Sequence, residues 1–453
     1  LVVKHILPGM GLFFYFVLHF NCKFACQSLE ERLRVTMRKL RRVCFHLLLV
    51  VVTFTTVLAT SAGAVANASS TVDARAAITI DAETGQVLYE KNATKRYPIA
   101  SVIKILTLAV IEQDIEQGKL KWDQKIKISK EVAKVANDWR FSNVQLNEGE
   151  SYTVKSLVES MMIVSADGSA EALALASAGS TAAFNQKMQA VAKEAGVTDA
   201  KIYNMIGLAN GDLGEMRLKN VSKKAENQLS AKDVAKIARY LVEKYPSVLE
   251  ITKQKFVNFQ VSDSQQYEMV NINSMLPQNA AASTHGEVDG LKTGMTDSSG
   301  YCFVGTGTFN GRRLITVVLK VPGEYNNQFK VTDAMIGQVL DKYQYLTVNK
   351  LSDFKKGVQS VTVAHAEKKG PKTVGLTLKK ATTLWLAKNT SLKKADVELI
   401  LDKNKRTIGG HKLRAPVKKG EKVGVLRVHV KGAPDVDLPV YATKTVHKNK
   451  GWF

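Results

Sequence analysis

Cysteine is scarce in this chain of 453 residues, and what there is sits at the front. Cys22, Cys26 and Cys44 precede the main body, and Cys302 alone follows. No internal disulfide can staple the body of the protein, so its core must hold by burial. Cys302 lies in the apolar run Tyr301-Cys302-Phe303-Val304 and reads as a small buried hydrophobe rather than a reactive thiol. Histidine is also sparse: eight residues are scattered without a His-Glu-x-x-His, which argues against a zinc peptidase. There is no Rossmann or Walker glycine pattern, no fixed-period repeat and no RNP-like, zinc-finger or arginine-rich motif. The expectation is no cofactor, no metal and no nucleic acid partner.

Acidic residues are in deficit. Asp and Glu number 41 against 64 Lys and Arg, a formal net charge of +23. The first 68 residues account for little of it, leaving about +17 on the remainder. Such a body suits an anionic cell-wall polymer or a membrane surface, while dispersed lysines kept for solubility explain it equally well. The hydrophobic share of 45% is ample for a buried core.

Met37 opens the pattern of a secretory signal peptide over 37–68. Arg38, Lys39, Arg41 and Arg42 form its basic region, Cys44 to Leu58 its apolar region, and Ala64-Val65-Ala66 or Ala66-Asn67-Ala68 offers small residues for cleavage. The apolar run is short for a permanent span. Residues 1–36 carry a second apolar run, Leu12 to Phe20, and are read as an over-extended N-terminus. The mature protein is expected to be exported, at the outer face of the cytoplasmic membrane, in the wall or secreted.

Beyond residue 68, Ala76 to Glu90 predicts a β-hairpin around Asp81, Thr84 and Gly85. A helix is predicted from Ser101 to Gln117, where Ile103, Leu106 and Val110 recur at helical spacing before Gly118. Helical patterns follow at 153–164, 169–178, 182–195 and 231–244. Strand patterns return at 290–306 and 314–321 around Asn310-Gly311, a hairpin cue, and a helix is predicted over 328–346. After Leu351 short strand-like runs alternate with turns rich in Lys and Gly, which predicts a small all-β domain over 355–443 and a basic tail over 444–453. The preceding domain is placed at 69–350.

Three short motifs carry chemistry. Ser101-Val102-Ile103-Lys104 is an S-x-x-K at a helix start, where positions i and i+3 share a face, so hydroxyl and amine can meet. A serine hydroxyl needs a base, and a lysine whose pKa is depressed can serve. The helix N-terminus offers N–H groups to an oxyanion. Ser352 to Lys355 and Ser391 to Lys394 repeat the spacing and read as solvated surface. Ser165-Ala166-Asp167 joins two apolar helices and reads either as a cleft-facing trio or as a capping loop. Lys292-Thr293-Gly294 lies in a strand, where a glycine suits close approach of a substrate backbone. S-x-x-K, S-D-N and K-T-G are the signature set of penicillin-binding proteins and class A β-lactamases, and here the three elements stand in that order at Ser101, Ser165 and Lys292.

On these residues, and on Thr84 to Tyr89, Pro98-Ile99-Ala100-Ser101, Leu229 to Asp233 and Gly300-Tyr301-Cys302, the chain resembles the low-molecular-mass penicillin-binding proteins, the serine-type D-alanyl-D-alanine carboxypeptidases. The resemblance implies an α/β (α+β) transpeptidase-like domain, similar to serine β-lactamases, with a helical subdomain and a small all-β C-terminal domain. It implies that Ser101 is the acylated nucleophile, Lys104 its base and Ser165 a proton relay. Lys292, Thr293, Gly294 and Asp167 would hold the substrate, with the backbone N–H groups of Ser101 and Met295 as oxyanion hole. The implied partners are peptidoglycan D-Ala-D-Ala peptides and β-lactams.

Two features depart from the family pattern. Asp167 stands where the family usually has Asn, and a carboxylate there would oppose Lys104 as a base, pair with Lys292 or stay protonated. The C-terminal Lys448 to Phe453 is too short for an amphipathic anchoring helix. Two other readings compete: a catalytically weak wall-binding or penicillin-sensing protein, and a serine β-lactamase. Against the latter, no Glu-x-x-Leu-Asn pattern is evident.

Overall fold

The computed structural model describes residues 72–402 and 407–449. The expected signal peptide over 37–68, residues 1–36 before it and the last four residues of the tail lie outside them.

The hairpin forms as predicted: β1 (Ala76–Asp81) and β2 (Val87–Lys91) pair antiparallel. Their sheet is completed far along the chain by β3 (Glu287–Thr296), β4 (Gly300–Phe309) and β5 (Arg312–Val321), in the order β2-β1-β5-β4-β3. The single strand run expected over 290–306 is thus two strands, broken by a turn at Asp297-Ser298-Ser299. That break puts β3, which carries the K-T-G, at the edge of the sheet.

Helices cover both faces because the strands alternate. Ala76, Ile78 and Ile80 of β1 face one core, while Ala77 faces the other. The first core is filled by α1 (Lys104–Glu116), α2 (Lys130–Ala136), α3 (Val154–Ile163), α4 (Asp167–Ala178), α5 (Thr181–Glu194), α6 (Ala231–Lys244) and α7 (Val248–Thr252). Helix α1 is apolar all round and central: every residue from Ile105 to Ile111 is buried. Ser230 starts α6 with a capping box, its Oγ accepting from Asp233 N (3.1 Å) while Asp233 Oδ2 accepts from Ser230 N (3.3 Å). The second core lies under α8 (Asn327–Lys342) and runs on into the C-terminal β strands.

The helix expected over 328–346 stops at Lys342. Tyr343–Val348 is instead a strand paired with Thr382–Ala387. The second of these was absent from the sequence reading, as was the hairpin Phe256–Ser262 with Gln265–Val270. The C-terminal region is all β, built on a seven-stranded sheet. It is docked on the first hairpin. Trp385 Nε1 donates to Asp81 Oδ2 at 2.8 Å, and the Gln86 amide makes two 2.8 Å bonds to the Trp385 backbone. Arg312 Nη2 donates to both oxygens of the same Asp81, at 2.8 and 2.9 Å.

Candidate active site

Ser101 sits in a 3₁₀ turn, Ala100–Ile103, and Lys104 is the first residue of α1. In a 3₁₀ turn positions i and i+3 eclipse, which brings the two side chains together more closely than a regular α start would. Lys104 Nζ donates to Ser101 Oγ at 2.9 Å. Its other two bonds run to Asp167 Oδ1 (2.6 Å) and the Ile206 carbonyl (2.8 Å), so all three N–H groups are used. The amine is fully buried.

Asp167 opens α4, and Ser165 two residues before it is buried with φ at +68°. The loop between α2 and α3 holds this turn, with Asp167 N donating to the Ser142 carbonyl (2.8 Å) and Gly168 N to Asn143 Oδ1 (2.9 Å). Of the alternatives left open for Asp167, the geometry selects pairing with Lys104. Asp167 was expected among the substrate-binding groups, and its Oδ1 is bonded to Lys104.

The edge strand β3 packs directly on the Ser101 turn. A Cβ built on Gly294 would lie 2.7 Å from the Ile99 carbonyl and 3.2 Å from Ser101 N, so any side chain would push strand and nucleophile apart. On the other side Gly207, at φ +99°, brings its backbone to Ala100: a Cβ there would stand 2.1 Å from the Ala100 carbonyl oxygen. Lys292 is buried, with one bond to the Thr293 carbonyl at 3.1 Å. Thr293 is buried, and Met295, paired with Tyr301, is 58% exposed.

Electrostatics follow from burial. Desolvation depresses Lys104, partly offset by the Asp167 carboxylate. Desolvation, then the Lys104 charge, holds Lys292 well below the ordinary lysine range. Burial raises Asp167, against the pull of Lys104 and Lys292. Burial also pushes the Cys302 thiol up to about 11, which fits the inert role expected of it.

Three neighbours of this set lie outside the motifs. The Ile206 carbonyl acts through backbone, which leaves no sequence signature. Asn204, whose Oδ1 accepts from Gly207 N (2.8 Å), shapes that loop, and Asn-Met-Ile-Gly was the available cue. Glu171, one helical turn after Asp167, is the third, and its i+4 spacing was legible.

Known proteins share the sequence and fold that carry this site. Residues 62–323 match the family model described as D-alanyl-D-alanine carboxypeptidase, more than half of the chain. This chain belongs to the D-alanyl-D-alanine carboxypeptidase family. Residues 352–448 match a second model, the C-terminal domain of penicillin-binding protein 5. The D-alanyl-D-alanine carboxypeptidase DacF of Bacillus subtilis is 26% identical over 378 residues, 83% of this chain and 86% of that one. A peptidoglycan synthesis regulatory factor (PBP3) from Streptococcus pneumoniae is 30% identical with a TM-score of 0.62, covering 83% of this chain and 99% of that one. Penicillin binding protein 5 from Haemophilus influenzae shares the fold at 22% identity and a TM-score of 0.63, covering 83% and 98%. The expected fold class is borne out: a carboxypeptidase domain of helices on a sheet, then an all-β domain. As a family member the chain is a serine-type carboxypeptidase, of a family that acts on peptidoglycan D-Ala-D-Ala peptides and binds β-lactams.

Proposed function

We propose that this carboxypeptidase removes the terminal D-alanine from peptidoglycan stem pentapeptides through an acyl-enzyme on Ser101, and that β-lactams acylate the same oxygen. The observation that carries the reading is the 2.9 Å bond between Lys104 Nζ and Ser101 Oγ, on a turn packed against an open strand edge.

The peptide would lie along β3, its carboxylate toward Lys292 and Thr293. Lys104 must be an amine to act as base. Moving a proton along the 2.6 Å bond to Asp167 turns the ion pair into amine and acid with no change in net charge. Burial pushes both groups that way. Lys104 then takes the Ser101 proton as Oγ bonds to the carbonyl carbon of the penultimate D-alanine. The N–H groups of Ser101 and Met295 receive the oxyanion. A proton passed through Ser165 reaches the D-alanine nitrogen as the C–N bond breaks. Water attacks the ester, Ser101 regains its proton, and the tetrapeptide acid leaves. The basic charge and the signal-like leader support an exported enzyme working at the wall or the outer membrane face.

The Lys104–Asp167 pair also favours a second reading, a penicillin-binding sensor with little turnover. Fluorescent penicillin labelling of wild type and Ser101→Ala, with assay of free D-alanine from a D-Ala-D-Ala peptide, separates the two. The enzyme labels at Ser101 and releases D-alanine repeatedly; the sensor labels and stops. Label retained by Ser101→Ala overturns both.

A further inference from the structure

Lys104, Asp167 and Lys292 serve the proposed reaction, and a fourth buried ionisable group interacts with the first two. The fourth is Glu171 on α4, only 1% exposed, and no donor among the described residues reaches either of its carboxylate oxygens. It stands four residues after Asp167, hence on the same face of α4, where i and i+4 side chains are neighbours.

Charged groups on the packed elements do not relieve it. On α1, Lys104 acts on it by charge but gives its three N–H groups to other oxygens. Asp114, also on α1, is taken by Lys187 of α5 at 2.8 Å. Glu159 of α3 is 3.8 Å from Lys155 on its own helix, and Lys134 of α2 makes no bond to Glu171. A buried carboxylate without donors is far costlier than the neutral acid.

Charge counting gives this a role. The Lys104–Asp167 pair sums to zero whichever atom holds the shared proton. Lys292, in the protonated form that meets a substrate carboxylate, adds one positive charge. An ionised Glu171 would cancel it and would hold Lys104 as the ammonium, whereas a neutral Glu171 leaves one unit of positive charge to meet one substrate carboxylate.

We infer that Glu171 is a positioning residue, a neutral acid beside Asp167 that keeps the cleft one charge positive for the carboxylate of peptide or penicillin. The inference rests on the acylation proposed above. Burial, reinforced by the Asp167 charge, raises the Glu171 acid well above the usual carboxyl range, the direction required.

Two measurements test it on the purified protein. Infrared difference spectra at neutral pH, wild type minus Glu171→Gln, should show the C=O stretch of a protonated carboxyl lost in the variant. The second-order rate of penicillin acylation should be alike in the two at neutral pH. Above the pH at which Glu171 ionises, wild type should fall away sooner, by about tenfold per unit that Lys104 is shifted. Glu171→Met keeps the volume without the polarity and replaces the Gln variant if that one does not fold. Absence of the carboxyl difference band overturns the inference, as do superimposable pH profiles or a rate lowered equally at every pH. If wild type itself is not labelled at Ser101, the acylation reading fails and the infrared band still decides the state of Glu171.

Discussion

Asp81 and Glu171 are both buried acids, and their surroundings drive them in opposite directions. Asp81, at the junction with the C-terminal domain, loses hydration but accepts from Trp385, Thr84 and Arg312. These donors outweigh burial and pull it below the usual range. Glu171 loses hydration and gains no donor, so burial, with Asp167 beside it, drives it up. Burial alone therefore does not decide ionisation; the supply of donors does. Asp167 lies between the two, raised by burial yet tied to Lys104. The donor-rich acid serves architecture, and the donor-poor region is where the acylation is proposed.

The strongest way to break this contrast is to take the cation from Asp167. Lys104→Met should leave Asp167 as neutral as Glu171 and lower penicillin acylation about 10²- to 10⁴-fold, read as the second-order labelling rate. Next comes the architectural side. Asp81→Ala leaves the buried Trp385 N–H without its acceptor and Arg312 with only the exposed Glu83, and should cost about 3 kcal/mol in denaturant unfolding, near the lower end for one half of a broken buried pair. The less drastic Asp81→Asn adds a pH signature. Because its folded pKa is depressed, Asp81 contributes stability above the unfolded value of 3.8 that is lost on acidification below it. The Asn variant should lack that acid-dependent loss.

Glu112 on α1 sharpens the comparison from the other side. It is buried, its Oε1 has no donor, and burial raises it to about 7. The folded state then binds the proton more tightly than the unfolded one. Stability should therefore fall as pH rises from about 4.5 to about 7, by about 2–3 kcal/mol. Glu112→Gln should flatten thermal stability across that window. The smallest expected effect is at Asp167. With the carboxylate removed in Asp167→Asn, Lys104 loses the charge that favours its ammonium form. The acidic limb of the acylation profile should move to lower pH by about one unit. An unchanged limb would show that Asp167 does not tune the base.

The proposed reacting set was legible because its spacing is local or ordered. Ser101 and Lys104 are three residues apart, and the decoys at Ser352 and Ser391 lack the ordered partners at Ser165 and Lys292. Periodicity gave most of the individual helices and strands and the all-β C-terminal texture, while the fold class itself followed from the family resemblance. What escaped notice depends on distant partners. Met335, Ile336, Val339 and Leu340 continue a helical spacing into Tyr343, yet pairing with the strand of Trp385 ends the helix there. The clamp on Asp81 draws on Arg312 and Trp385, 231 and 304 residues away. The Ser101 turn was read as ordinary helix, since nothing local separates 3₁₀ from α at a first turn.

The open edge of β3 has a cost outside catalysis. A strand that must accept a peptide is equally open to a strand of another protein chain, the usual first step toward aggregation. Natural sheets guard such edges with inward-pointing charge. Lys292 is such a charge, buried on the one strand that cannot be covered. The residue proposed to receive the substrate's carboxylate would then also turn away any extended segment that arrives without one.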